Sequence, residues 1–304
     1  MELSPLRSFV AVVETESFTR AATQVNISQP ALSQQIINLE KELGHRLLHR
    51  LGKRAVPTEA GQVLLERARR ILREVEDATR ELGDQAGLER RIAVGAVQTV
   101  MPFLLTGLIA GCRQTHPHLH IDAREDFRAD LVTAVVEGEL DLAVVPNPVR
   151  EPRVATEVLL REPLLLAVGR GHPFAGRTEI EVRDLAAETF VSLGDASALA
   201  TQIRAFFGDQ HLQPRFGYRC AQVATLKRWV AAGMGISLLP RLAQQPEDAD
   251  QLVYLSLAGS DLHRELVVIR HLQRYRSRGA EQFLQALRRH VAAYEAGVAG
   301  TNPS

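Results

Sequence analysis

A chain of 304 residues with 45% hydrophobic residues is too long for one small core and predicts two or three domains. Basic and acidic residues balance at 36 each, so net charge neither indicates nor excludes a nucleic-acid partner, and any basic surface must be local. The two cysteines, Cys112 and Cys220, lie far apart in no CxxC or metal-ligand pattern, which excludes a disulfide scaffold or zinc module and fits a reducing cytosol. No run reaches the roughly 18 apolar residues of a membrane span, and MELSPLRSF lacks a basic stretch leading into an apolar one. The expectation is a cytoplasmic protein with no membrane contact.

Leu3 to about Thr15 repeats apolar residues at Leu6, Phe9, Val10 and Val13, which predicts a scaffold helix. Ser17 to Gly44 then reads as two short helices joined by a tight turn. Ser17 caps the first, whose Phe18, Ala21, Ala22 and Val25 keep helical spacing, and Asn26 closes it as a residue tolerant of left-handed geometry. Ser28 caps the second. Pro30 sits in its first turn, where a missing N–H costs nothing, and Ala31, Leu32, Ile36, Leu39 and Leu43 make the face expected to be buried. The other face, Gln29, Ser33, Gln34 and Asn38, is short, uncharged and rich in amides and hydroxyls. A solvated helix face looks the same, but these are also the groups that hydrogen-bond base edges in a DNA major groove.

His45 to Arg54 shifts the balance. Arg46, Arg50, Lys53 and Arg54 are interleaved with Leu47, Leu48 and Leu51, and no acid intervenes. The run predicts a hairpin wing whose leucines dock on the helices while Arg50, Lys53 and Arg54 face phosphates, together with Thr19 and Arg20. Leu6 to Val12, Ser17 to Ala22, Ser28 to Ile36, Leu39 to Gly44 and Pro57 to Gly61, in that order and spacing, resemble the amino-terminal domain of LysR-type transcriptional regulators. The resemblance continues to about Tyr294. It implies a winged helix-turn-helix over residues 1–58, a linker helix over 59–88, and a two-lobed α/β effector-binding domain over 89–304 that looks like a periplasmic solute-binding protein. It further implies double-stranded DNA carrying an inverted repeat, a small-molecule effector, a homodimer or homotetramer, and RNA polymerase as partners.

Thr58 and Glu59 open a long helix through about Gly83 in which Leu64, Ala68, Ile71, Val75, Ala78 and Leu82 repeat at coiled-coil spacing. The remaining surface is charged all round, so such a helix needs a partner along that seam. Gly83 to Arg91 is expected to break it, with a boundary near Gly87. Beyond it, short apolar runs alternate with helices, the signature of an α/β domain. Strands are expected at Ile92–Gly95, His118–Ala123, Asp141–Val145, Leu164–Val168, Phe190–Ser192, Tyr218–Ala221, Gly235–Leu239 and Leu266–Ile269. Helices are expected at Met101–Thr115, Ala129–Glu137, Ala198–Gly208, Thr225–Ala232 and Gly279–Ala296, with a helix start at Asp184. One lobe takes about 91–162 and 267–296, the other about 163–266, with crossovers near Glu162 and Arg264.

In such folds ligands bind beyond strand ends, at helix amino termini. Gln98 and Thr99 follow the first strand, and Thr99 is placed to cap the next helix; Arg128 starts the helix after the second strand, and Pro146 ends the third. Ser197 and Gln222 stand at comparable places in the second lobe. Each has a plain structural reading as a cap or a solvated side chain. Val97, Val100, Met101, Phe103 and Pro146 make the surroundings apolar, which together with donors at Thr99 and Arg128 suggests a small organic or aromatic acid. No HExxH, GxSxG or Cys-His arrangement is present, so no catalysis, metal or cofactor is expected; a solute-transport role fits the two lobes but not the helix-turn-helix. Tyr218 to Pro240 resembles the family's peroxide-sensing branch, which carries a reactive cysteine ahead of the helix starting here at Ala198 and a second after it. Ala196, Ser197 and Ala198 stand at the first place, and no cysteine lies between Leu193 and Arg219. A thiol switch is therefore not expected.

Overall fold

Three helices meet because each presents an apolar stripe to the same centre. In the computed structural model, which describes residues 2–52, 54–86 and 90–300, α1 (Leu3–Thr15) buries Leu6, Phe9 and Val12, α2 (Phe18–Gln24) buries Ala21 and Ala22, and α3 (Gln29–Leu43) buries Leu32, Ile36 and Leu39. The hydroxyls of Ser17 and Ser28 accept from the amides of Arg20 and Ala31, and Asn26 takes φ 57° in the turn. Ala31 is a correction. It lies one position off the Leu32–Ile36–Leu39 stripe and is exposed, and Leu43 is only half covered. β1 (Leu48–Leu51) and β2 (Arg54–Pro57) pair antiparallel as the wing. Leu47 and Leu48 dock on the helices, but Leu51, at the far end of β1, is 63% exposed instead of docked.

α4 (Glu59–Ala86) continues through Gly83 by nearly a turn. Its start is fixed by backbone contact: the Thr58 amide donates to the Leu47 carbonyl at 2.9 Å, the Thr58 hydroxyl to that of Arg46 at 2.7 Å, and the Gly61 amide to the Thr58 hydroxyl at 3.0 Å. A Cβ on Gly61 would overlap the Leu47 carbonyl, which explains the Pro57–Gly61 motif physically. Leu65, Ala68 and Leu72 complete the core of this unit. Ala68 therefore belongs to that core and not to the expected seam, while Ile71, Ala78 and Leu82 are exposed and Val75 is half-buried. This first unit is Met1–Gly87, and Leu88–Ser304 is a second. Lys53 and the boundary expected near Gly87 lie outside the described residues.

In the second unit β3 (Arg90–Ala96) lies between β4 (Leu119–Glu125) and β5 (Leu142–Pro146), parallel to both. Right after β3 a π-helical turn, Met101–Leu105, runs into α5 (Thr106–Thr115), and α6 (Arg128–Glu137) joins β4 to β5. β6 (Val154–Gly169) spans both lobes. Its first half pairs with β12 (His263–His271), which also pairs with β5; its second half pairs with β10 (Ser237–Pro240) and β11 (Leu252–Ala258). The expected strand Leu164–Val168 is thus only the last part of a strand three times as long. The other elements are β7 (Glu179–Glu181), β8 (Thr189–Leu193), α7 (Ala198–Asp209), β9 (Arg215–Cys220), α8 (Val223–Ala231) and α9 (Arg278–Gly300). The helix start at Asp184 is a 3-10 segment, Val182–Ala187. β10 begins two residues late because Gly235, at φ 155°, lies so close to the Thr189 carbonyl that no Cβ fits. Each lobe has its own core, one around Val94, Leu131, Val144 and Phe283 and one around Leu166, Phe190, Leu226 and Leu238; Phe103 packs on both.

Candidate functional site: a groove-facing helix and an inter-lobe cleft

α3 places Gln29, Pro30 and Gln34 on its exposed side with Ser33 half-buried beside them, and the Gln34 amide donates to Asn38 at 2.9 Å. The face is rigid because the opposite face is locked by Leu32 and Ile36, and its outward groups are hydrogen-bonding and uncharged, as base reading requires. Thr19 and Arg20 are exposed at the start of α2, where the Arg20 guanidinium donates to the Thr15 carbonyl. Arg50 lies over the Phe18 ring, 4.7 Å from its centre, so the aromatic plane aims the cation while leaving it outside. Arg54 is engaged differently. It forms an ion pair with Glu16, its Nε donating at 2.9 Å, and this pair anchors the wing to the α1–α2 turn. Sequence reading missed Glu16, and it missed Glu40, whose carboxylate accepts from the amides of Leu47 and Leu48 at 2.7 and 3.2 Å and holds the wing's first strand.

In the second unit a narrow cleft between the lobes is lined by Gln98, Thr99, Arg128 and Pro146 from the first lobe and Ser197 from the second. Gln222 stands at the amino-terminal position before α8, makes no side-chain cap bond there, and does not line the cleft. The amino ends of α6 and α7 face this cleft from opposite walls, and neither has a side-chain cap, so their first amides keep donors to offer. The π-helical start differs: the Met101 amide is already satisfied by the Val97 carbonyl at 2.9 Å, and Thr99 does not cap it. Thr99 is buried, its hydroxyl accepting from Arg264 at 2.7 Å and its carbonyl at 3.1 Å. Arg128 is half-buried and not free. Its guanidinium donates to the carbonyls of Pro146 and Pro148, both at 3.0 Å, and staples the end of β5.

Two features had no sequence signal. Asp126 also lines the cleft, and its hydrogen bond with Arg124, 2.7 Å, holds its carboxyl below the usual carboxylate range. Behind Thr99, Glu162 and Arg264 form an ion pair at the crossover, 2% and 1% exposed and 2.8 Å apart. The second Glu162 oxygen accepts from the Leu242 amide at 2.6 Å, so the pair ties both crossing strands to the cleft wall and to the segment after β10. Desolvation pushes the Arg264 guanidinium down, and the Glu162 charge opposes that. Burial likewise pushes both cysteine thiols up, Cys112 inside the first lobe core and Cys220 at the end of β9. Among the described residues, no group of side chains could hold a metal ion, and no helix is long and apolar enough to cross a membrane.

Comparison with known proteins agrees with both halves. Residues 3–62 match the bacterial regulatory helix-turn-helix of the lysR family, and residues 85–292 match the LysR substrate binding domain. The chain is 36% identical over 293 residues to the DNA-binding transcriptional dual regulator OxyR of Escherichia coli K12, covering 95% of each. A solved full-length OxyR variant from Pseudomonas aeruginosa superposes with a TM-score of 0.75 at 25% identity, covering 96% of this chain and 94% of that one. Full-length CbnR complexed with its target DNA shares the fold, at a TM-score of 0.69 and 22% identity over 95% of this chain and all of that one. With a matching helix-turn-helix, a matching two-lobed domain and relatives aligned nearly end to end, the chain belongs to the LysR family of DNA-binding transcriptional regulators and is not an enzyme.

Proposed function

We propose that this regulator reads an interrupted inverted repeat as a dimer-based homotetramer in the cytoplasm, and that a small organic or aromatic acid entering the inter-lobe cleft alters its dealings with RNA polymerase. One observation supports the effector class above others: two uncapped helix amino ends, from α6 and α7, face one small cleft from opposite lobes. They attract an acceptor or anion, while Val97, Phe127, Pro146 and Leu199 supply apolar contact. Arg128 contributes positive character at the cleft rim through a guanidinium already anchored to carbonyls, and Asp126 limits how much net negative charge the ligand carries. Gln98 and Ser197 are placed to contact the ligand; Gln222 is placed to act through α8.

Base contacts are assigned to Gln29, Pro30, Ser33 and Gln34, and phosphate contacts to Thr19, Arg20, Arg50 and Lys53, with Arg54 as a wing anchor. The exposed residues Ile71, Ala78 and Leu82 of α4 support pairing through that helix. The test is a thermal-shift screen of the full chain against small carboxylates, matched amides and amines, combined with a gel shift on DNA upstream of its gene. A ligand at a hundredfold excess over its Kd stabilises by about 2.7 kcal/mol. A carboxylate that stabilises the parent, fails on Ser197→Leu and alters the DNA complex supports the reading; a cationic best hit indifferent to Ser197→Leu overturns the placement.

A further inference from the structure

The outward side of α3 carries one residue that hydrogen-bonding to base edges does not use. Ile37 is 43% exposed, whereas Ile36 and Leu39 beside it are buried. It is not among the described residues that form or cover the first unit's core. At 3.6 residues per turn it points within about 20° of Pro30, about 40° of Ser33 and about 60° of Gln34, so it stands inside the face assigned to base contacts. No charge precedes Glu40 on α3, and the Glu40 carboxylate is taken up by the amides of Leu47 and Leu48. Asn38, the next residue, holds the Gln34 amide at 2.9 Å. A lone exposed aliphatic residue is ordinary on a protein surface. What distinguishes Ile37 is its place: a branched side chain, poorer in a helix than lysine, arginine or glutamine, is kept in water in the middle of an uncharged, rigidly backed face.

In the major groove only thymine shows an apolar group, its 5-methyl, beside the donors and acceptors of the other edges. We propose that Ile37 is a specificity-determining residue that packs on the 5-methyl group of a thymine and adds apolar readout to the polar readout of Ser33 and Gln34. The inference rests on the assignment of α3 to the groove. Isoleucine offers nothing to a phosphate, so backbone positioning does not account for it. Ile37 lies about 4.5 Å along the helix from Gln34, which places the thymine within about two base pairs of the base that Gln34 contacts. Cytosine there, or uracil in place of thymine, leaves the Ile37 side chain facing water and forfeits the contact.

The experiment selects binding sites for the full chain from random duplex DNA, in parallel with Ile37→Ala, Ile37→Val and the double variant Ser33→Ala, Gln34→Ala. Affinity is then measured at fixed salt for the selected site with single thymines replaced by deoxyuridine, which pairs identically and lacks only the methyl. One position per half-site is expected at which deoxyuridine weakens the parent about fourfold, leaves Ile37→Ala unchanged and keeps most of its effect in Ile37→Val. Unchanged melting of Ile37→Ala shows that the fold is intact. A parent indifferent to deoxyuridine at every position, or an equal loss in parent and Ile37→Ala, overturns the proposal. So does an Ile37→Ala variant that weakens all sequences alike, which would set Ile37 against the sugar backbone. If the double variant changes sequence preference and Ile37→Ala does not, this inference alone falls; if neither changes it, the groove assignment of α3 falls with it.

Discussion

Glu162→Gln is the most informative single change in the second unit. It keeps size and hydrogen-bonding shape but removes the charge facing Arg264, which is 1% exposed. Replacing one partner of a buried pair leaves the other uncompensated, at a cost of about 3–5 kcal/mol, whereas removing both charges can be nearly neutral. In a unit of this size each kcal/mol moves the melting midpoint by about 2–4 °C, so the transition of the second unit should fall on the order of 10 °C. Glu162→Gln combined with Arg264→Met should recover part of that loss. It will not recover all of it, because the Thr99 hydroxyl and carbonyl lose the donors they now have at 2.7 and 3.1 Å. Calorimetric melting of the parent, both single variants and the double variant closes the cycle. A Glu162→Gln variant within about 1 kcal/mol of the parent, or a double variant less stable than it, would refute the view that uncompensated charge sets the energetics here.

The other predictions concern the first unit and the thiols. Gly61→Ala forces α4 away from the Leu47 carbonyl and should cost the first unit about 2–3 kcal/mol with loss of operator binding, read by melting and gel shift. Ser33→Ala with Gln34→Ala should cost about 1–3 kcal/mol per lost base contact and relax sequence preference, while Arg50→Ala should weaken all sequences alike and reduce the salt slope by about 1. Arg54→Ala should change that slope less than Arg50→Ala, because Arg54 is paired with Glu16; an equal change in a salt titration would assign it to phosphate instead. Ile71→Asp should leave monomers in sedimentation, and an intact oligomer would count against pairing through α4. Cys112→Ser with Cys220→Ser should leave any peroxide response of a reporter unchanged, because burial holds both thiols protonated; a lost response would restore the thiol switch.

The sequence was most legible where local rules coincide. Ser17, Asn26, Ser28 and Pro30 punctuate two helices by cap and turn chemistry that acts within four residues, and their elements appear at the expected ends. Reading failed where partners are distant or patterns two-sided. Val154–Pro163, the first half of β6, mixes exposed, half-buried and buried positions around Glu157, Arg161 and Glu162, so no long apolar run announces a strand. Leu252–Ala258 buries Leu252, Leu255 and Leu257 without strict alternation, and the three residues of β7 are too short to register. Glu162 and Arg264 are 102 residues apart, and only the register of β6 against β12 brings them together. Thr99 looked like a cap because threonine before a helix usually is one; the buried guanidinium behind it competes for the same oxygen and wins, since a charged donor without an acceptor costs more than an uncapped turn.

That competition bears on how the cleft can signal. A ligand shifts the lobes only by the difference in its affinity for two arrangements, and here the lobes share two paired strands whose register slips once, between Leu266 and Val267. The Glu162–Arg264 pair sits two residues from that irregularity on each strand. Thr99 both lines the cleft and accepts from Arg264, so one side chain separates a ligand touching Thr99 from the pair. It follows that Thr99→Val cannot serve as a test of ligand contact. It removes a possible contact and at the same time strands a donor of a buried guanidinium, and both lower the observed affinity. Gln98 and Ser197 line the same cleft without touching the pair, so a loss of binding on changing either one reports the contact itself.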